Sequence, residues 1–166
     1  VGRPVKWTAD RSEAFLTDAH GRDQLAYAEM YLDEDKNITG LKVSITANMG
    51  AYLSTFGSLI PTYMCVPLLS GQYAIPAIYA EVKGVYTNTS PVDAYRGAGR
   101  PEAAFIIERL IDLAARKTGT SPVDLRRKNF IQKFPYQTPV LSTYDCGDYE
   151  KALSTALDLI SFENFE

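Results

Sequence analysis

At 166 residues the chain can hold one domain with a real core, and 46% apolar with 22% charged residues is a folded rather than a disordered or fibrous composition. A net charge of −3, with acids and bases interspersed, does not support the clustered basic footprint of a nucleic-acid binder. No stretch approaches the roughly 20 consecutive apolar residues of a transmembrane helix, and the nearest, Leu59 to Leu69, is broken by Pro61 and Pro67.

The chain opens on Val1-Gly2-Arg3-Pro4, without an initiator Met or secretory signal, and closes on Asn164-Phe165-Glu166. It is expected to be a portion of a longer protein. Pro4 to Thr8 reads as a short extended run, and Asp10 is placed to cap a helical turn through Glu13. Gln24 to Leu32 and Ile38 to Asn48 flank the acidic turn Asp33-Glu34-Asp35-Lys36-Asn37 as a hairpin. In its second arm Leu41, Val43, Ile45 and Ala47 alternate with polar residues, the period of a strand with one buried face. The turn resembles a calcium loop only superficially, because Ile38 and Ser44 stand where Gly and Glu are required.

Gly50 to Gly71 is apolar and admits a short buried helix around Leu59 to Leu69, and Ala77 to Asn88 returns to strand character. From Pro101 the period becomes helical, with Ala103, Ile106, Ile107, Leu110, Ile111 and Ala114 on one stripe and Gly119 as the stop. Ser121 caps a second helix with Pro122 at its first position, and a last one starts near Asp148. The fold class is α+β, a single mixed domain over 1–166 with an antiparallel hairpin and packed helices, strands first and helices later. Cys65 and Cys146 are far apart and outside any CxxC spacing, so both are expected as buried thiols, and with His20 the only histidine no metal cluster is expected.

Chemistry concentrates in Ala94-Tyr95-Arg96-Gly97-Ala98-Gly99-Arg100-Pro101-Glu102, between strand-like residues and a long helix. Gly97 and Gly99 permit positive φ and close approach of a ligand to the backbone. Free amides at the helix start, the helix dipole, and Arg96 and Arg100 all favour an anion. The plainer reading is a tight turn whose arginines pair with nearby carboxylates. Neither a dinucleotide fingerprint nor a P-loop is present.

Tyr86 to Thr89, Ala94 to Ala103 and Asp124 to Phe130, with Arg3-Pro4-Val5-Lys6 and Asn48 to Tyr52, resemble in order and spacing the molybdopterin-binding large subunits of the xanthine oxidase family. The resemblance leans toward aerobic carbon monoxide dehydrogenase large chains. It implies that Arg96 and the backbone from Tyr95 through Gly97, Ala98 and Gly99 to Arg100 seat a molybdopterin cytosine dinucleotide carrying molybdenum. It also implies a cytoplasmic enzyme with an iron–sulfur subunit holding [2Fe–2S] clusters and a flavin subunit holding FAD. The implied reaction is hydroxylation of a small molecule with oxygen from water.

Two departures narrow this expectation. Copper-containing relatives carry a Cys after the arginine, where this chain has Gly97, which cannot ligate a metal. Purine hydroxylases carry an Arg near the position of Met64 and a Phe at that of Ala98, so Met64 and Ala98 are expected to line a pocket for an aldehyde or N-heterocycle. The family's catalytic Glu belongs to a Gly-Ser-Gly-Glu-like stretch that does not occur here. No catalytic residue is assigned: Glu102 reads as a first-turn helix charge and Glu108 as a solvated face. The chain alone is expected to be inactive, and a non-catalytic scaffold that kept the fold is the rival reading.

Overall fold

A computed structural model describes residues 2–164; Val1, Phe165 and Glu166, named above at the two ends of the chain, lie outside the described residues. Helix α1 (Arg11–Thr17) starts as expected: the Asp10 side chain accepts from the Glu13 amide at 2.8 Å, and Glu13 accepts from the Asp10 amide at 3.0 Å. This reciprocal pair satisfies two of the amides that every helix start leaves over. Pro4 to Thr8 belongs to no strand, because no neighbouring strand offers it a ladder.

Strands β1 (Gln24–Leu32) and β2 (Ile38–Gly50) form the antiparallel hairpin, and Asp33 Oδ1 ties its turn to the Asn37 amide at 2.8 Å. Period-two patterning buries Leu41, Val43, Ile45, Ala47 and Met49 on one face of β2. Strand β3 (Ile78–Tyr86) lies parallel to β2, giving a sheet ordered β1-β2-β3. The parallel pairing requires a crossover, made by residues 51–77. These fold as successive turns with only a 3-10 turn at Val66–Leu68, so the helix expected over Leu59 to Leu69 is not continuous. Pro61 and Pro67 explain why, since each lacks the amide that a continuing helix would use.

Helix α2 (Arg100–Thr118) buries Ala103, Ile106, Ile107, Ile111 and Ala115 against the sheet side of the core, each large side chain contributing about 1.5–3 kcal/mol of burial. Gly119 ends it in the left-handed conformation, φ 63°. Helix α3 (Pro122–Asn129) follows, with Ser121 accepting from the Val123 and Asp124 amides. A two-residue hairpin, β4 (Tyr136–Gln137) and β5 (Thr143–Tyr144), precedes α4 (Tyr149–Leu159), which Asp148 caps. The α+β class stands, although α1 precedes the first strand. Cys65 is fully buried, whereas Cys146 is exposed, contrary to the expectation for a thiol in a core.

Candidate functional site

The loop before α2 is positioned from two sides. On one, His20 donates its amide to Pro91 O at 2.9 Å and Asp93 donates back to His20 O at 2.8 Å, tying the loop to the lead-in of β1. On the other, Ser54 Oγ donates to Val92 O at 2.6 Å from the crossover. The segment then turns sharply: Ala98 N–H donates to Tyr95 O at 2.7 Å and Arg100 N–H to Gly97 O at 3.2 Å. Gly97, Ala98 and Gly99 all have positive φ, at 87°, 28° and 86°. The value at Ala98 is one that residues with a Cβ rarely adopt, and costs on the order of 1–2 kcal/mol.

The glycines serve the chain's own packing. A Cβ on Gly99 would stand 2.5 Å from the Met64 carbonyl carbon and 2.6 Å from Ile60 O, and one on Gly97 would stand 2.9 Å from the Pro101 ring. Met64 is thereby brought against the loop by its backbone, so Met64 and the Ala98 turn are neighbours. The helix start offers fewer free amides than its sequence suggested. Arg100 N–H is used inside the turn, Pro101 has none, and Ala103 N–H makes the first helical bond to Gly99 O at 3.0 Å. Anion attraction therefore falls mainly to side chains. Tyr95, Arg96 and Arg100 are exposed, and among the described residues neither Arg96 nor Arg100 pairs with a carboxylate. The plainer reading, of arginines absorbed by local ion pairs, is not what the structure has.

Residues that sequence reasoning passed over surround this loop. Arg22, just ahead of β1, donates from Nη2 to Arg96 O, lies over the Tyr95 ring at 4.7 Å, and faces Glu102 Oε1 at 3.5 Å. Glu102 is only 8% exposed, and its Oε2 is buried without a hydrogen-bond partner. It is a buried group rather than a plain first-turn charge. Burial and the nearby Glu102 push the Cys65 thiol up to about 12, so Cys65 stays neutral and is no nucleophile. Arg22, Glu102 and Arg109 also line a cavity of about 470 Å³ between β1 and α2, whose other walls include Ala26, Phe105 and Leu113. No motif in the sequence marks Arg22, because its partners lie on the distant loop and on α2.

Glu108 is not a solvated face either. It accepts from Tyr73 Oη at 2.7 Å and from Arg126 Nη2 at 2.7 Å, and Arg126 also reaches Asp112 at 3.0 Å. Burial and this bond raise the Tyr73 hydroxyl well above its ordinary range. Asn129 Oδ1 accepts from the Ile38 amide at 2.8 Å, and Asn129 Nδ2 donates to Leu125 O at 3.0 Å. The Asp124 to Phe130 block is therefore architecture, joining α3 to α2 and to the hairpin turn, and takes no part in the loop.

The fold is an α+β unit with an arginine-bearing glycine turn at the start of α2. The chain belongs to the molybdopterin cofactor-binding domain family, whose model matches residues 1–130. The carbon monoxide dehydrogenase large chain of Hydrogenophaga pseudoflava is 40% identical over 98% of this chain and 21% of its own length. The 6-hydroxypseudooxynicotine dehydrogenase complex subunit gamma of Paenarthrobacter nicotinovorans is 35% identical over 99% of this chain and 22% of its own length. Among solved structures, quinoline 2-oxidoreductase from Pseudomonas putida 86 superposes with a TM-score of 0.90 at 32% identity, covering 98% of this chain and 21% of that one. The chain thus spans about a fifth of the length of these relatives.

Proposed function

We propose that this chain forms one wall of the cofactor site in the large subunit of a molybdenum hydroxylase, as a single-domain portion of that subunit. The observation that carries this reading is the pair of exposed guanidinium groups, Arg96 and Arg100, neither facing a carboxylate among the described residues, on a turn whose backbone is held from both sides; Arg100 Nη1 also donates to Gly97 O at 3.4 Å. Such groups fit the pyrophosphate and the metal-bound oxygens of a molybdopterin dinucleotide, in which the cytosine form is proposed. The residues present therefore suit the group: Arg96 and Arg100 would hold its anionic parts, and the Tyr95 to Gly99 backbone would lie beside it. When bound, the group supplies two-electron oxidation of a carbon centre with water as the source of oxygen.

The chain's own part is binding and shaping. Gly97 carries no thiolate, so copper has no ligand there, and Met64 with Ala98 leaves a less polar, wider wall than an Arg and Phe pair would. An aldehyde or an N-heterocycle is the proposed substrate class. Neither Glu108 nor Glu102 is given the base role: Glu108 is held by Tyr73 and Arg126, and Glu102 Oε1 faces Arg22. Electron exit to [2Fe–2S] clusters and FAD on partner subunits, and a cytoplasmic location, complete the proposal. No helix among the described residues is long and apolar enough to cross a membrane.

Elemental analysis of the full-length complex from its native host tests this reading. Near-stoichiometric molybdenum without copper is expected. Copper equal to molybdenum would overturn the role given to Gly97. No molybdenum, from cells shown to make the cofactor, would move the chain to a non-catalytic scaffold.

A further inference from the structure

We propose that Arg22 is a positioning residue for the cofactor site, setting the carbonyl of Arg96 and the ring of Tyr95 from behind the loop; this rests on the function proposed above. Three contacts converge on its guanidinium. Nη2 donates to Arg96 O, the plane lies over the Tyr95 ring at 4.7 Å, and Nε faces Glu102 Oε1 at 3.5 Å. A planar guanidinium is suited to all three at once, because it presents donors along its edge while its face stacks on an aromatic ring.

The arrangement is built into the fold from both sides of the arginine. Gly21, the preceding residue, has no side chain, and a Cβ there would stand 2.6 Å from Tyr95 Cβ. Tyr95 therefore lies directly on the backbone beside Arg22. Glu102, the third residue of α2, anchors the far end and is itself only 8% exposed. The Arg22 side chain is 32% exposed, so it is held by these partners rather than by enclosure.

The consequence is directional. Arg96 follows Tyr95 and precedes three consecutive residues at positive φ, a conformation that local propensity does not favour and tertiary contacts must hold. Fixing the Arg96 carbonyl and the Tyr95 ring restricts the backbone from which the exposed Arg96 side chain projects. Residues that orient a binding group without touching the ligand commonly change metal affinity or activity by about 10–100-fold when removed. Arg22 occupies that role here, and Glu102 supports it.

The test uses the full-length complex carrying Arg22→Ala, Arg22→Lys or, as a control, Lys42→Ala, which breaks an exposed ion pair elsewhere on the sheet. Molybdenum per large subunit and the line shape of the Mo(V) paramagnetic resonance signal are read together with thermal unfolding. Arg22→Ala is expected to lower molybdenum content about tenfold or to shift the resonance of what remains. Arg22→Lys should recover part of it, since an ammonium reaches one acceptor but neither forks nor stacks as well, and Lys42→Ala should match wild type. Should Arg22→Ala fail to fold, Arg22→Lys carries the same reading. Folded Arg22 variants with wild-type molybdenum content and line shape would overturn the proposal, even with a lowered melting temperature. Absence of molybdenum from the wild-type complex would instead overturn the underlying functional reading.

Discussion

The middle and the start of helix α2 carry acids of opposite fortunes. In its middle, Glu108 faces a tyrosine hydroxyl and an arginine from α3, and every partner comes from within this chain. At its start, Glu102 is more deeply buried, yet holds one long contact to Arg22 and leaves Oε2 without a partner. A buried carboxyl oxygen left unpaired costs about 1–3 kcal/mol. One of these regions is finished by the chain's own residues, and the other is not. The α2–α3 side is closed architecture, while the start of α2, with the exposed Arg96 and Arg100 beside it, is built to meet something further.

The strongest way to break that contrast is at its tightest point. Gly99→Ala places a Cβ 2.5 Å from the Met64 backbone at a φ of 86°. It should destabilise by about 4 kcal/mol, from backbone strain together with a clash that no side-chain rotation relieves. Guanidinium-induced unfolding of the full subunit would read this, and a loss under 1 kcal/mol on the same scale would show the turn to be soft. On the closed side, Arg126→Ala removes the shared partner of Glu108 and Asp112. These acids are about one-third exposed, so water takes up part of the loss, and about 2 kcal/mol is expected rather than a fully buried pair's larger figure. Molybdenum content should hold in that variant. A fall matching that of a loop variant would erase the distinction between the two regions.

A smaller effect follows from pH. The Cys65 thiol is raised from 9.0 to about 12, chiefly by burial, and the Tyr73 hydroxyl is raised as well. Both groups keep their protons in the folded chain where an unfolded chain has begun to lose them. Their contribution is complete below pH 9 and is lost as pH rises toward 12. At pH 10 the loss should be about 1 kcal/mol relative to pH 8, and Cys65→Ala should reduce it. Denaturant midpoints that are flat from pH 8 to 10 would contradict the assignment.

How much of this could be read from the residues alone depends on how local each feature is. The hairpin declared itself through alternation at Leu41 to Ala47, and α2 through its stripe, because both signals lie within one element. The Asp10 and Ser121 caps were legible for the same reason. Parallel pairing of β3 with β2 was not, since it joins residues across the crossover and leaves no mark on either strand. The crossover hid as a helix because apolar runs with prolines carry no clear period.

At the candidate site, the Arg96 turn was visible as a glycine–arginine cluster, but the meaning of its glycines was not. The neighbours of Gly99, Ile60 and Met64, come from a distant segment. Arg22, Glu102 and Glu108 were misjudged or missed for one reason. A side chain's position on a helix or before a strand does not say which charge from another element will face it.

Molybdenum content in the full-length complex reads whether the exposed arginines of the loop hold the cofactor. An Arg96→Ala, Arg100→Ala double variant should bind molybdenum about tenfold less than wild type, with a melting temperature close to that of wild type. A folded double variant that retains wild-type molybdenum would contradict the account.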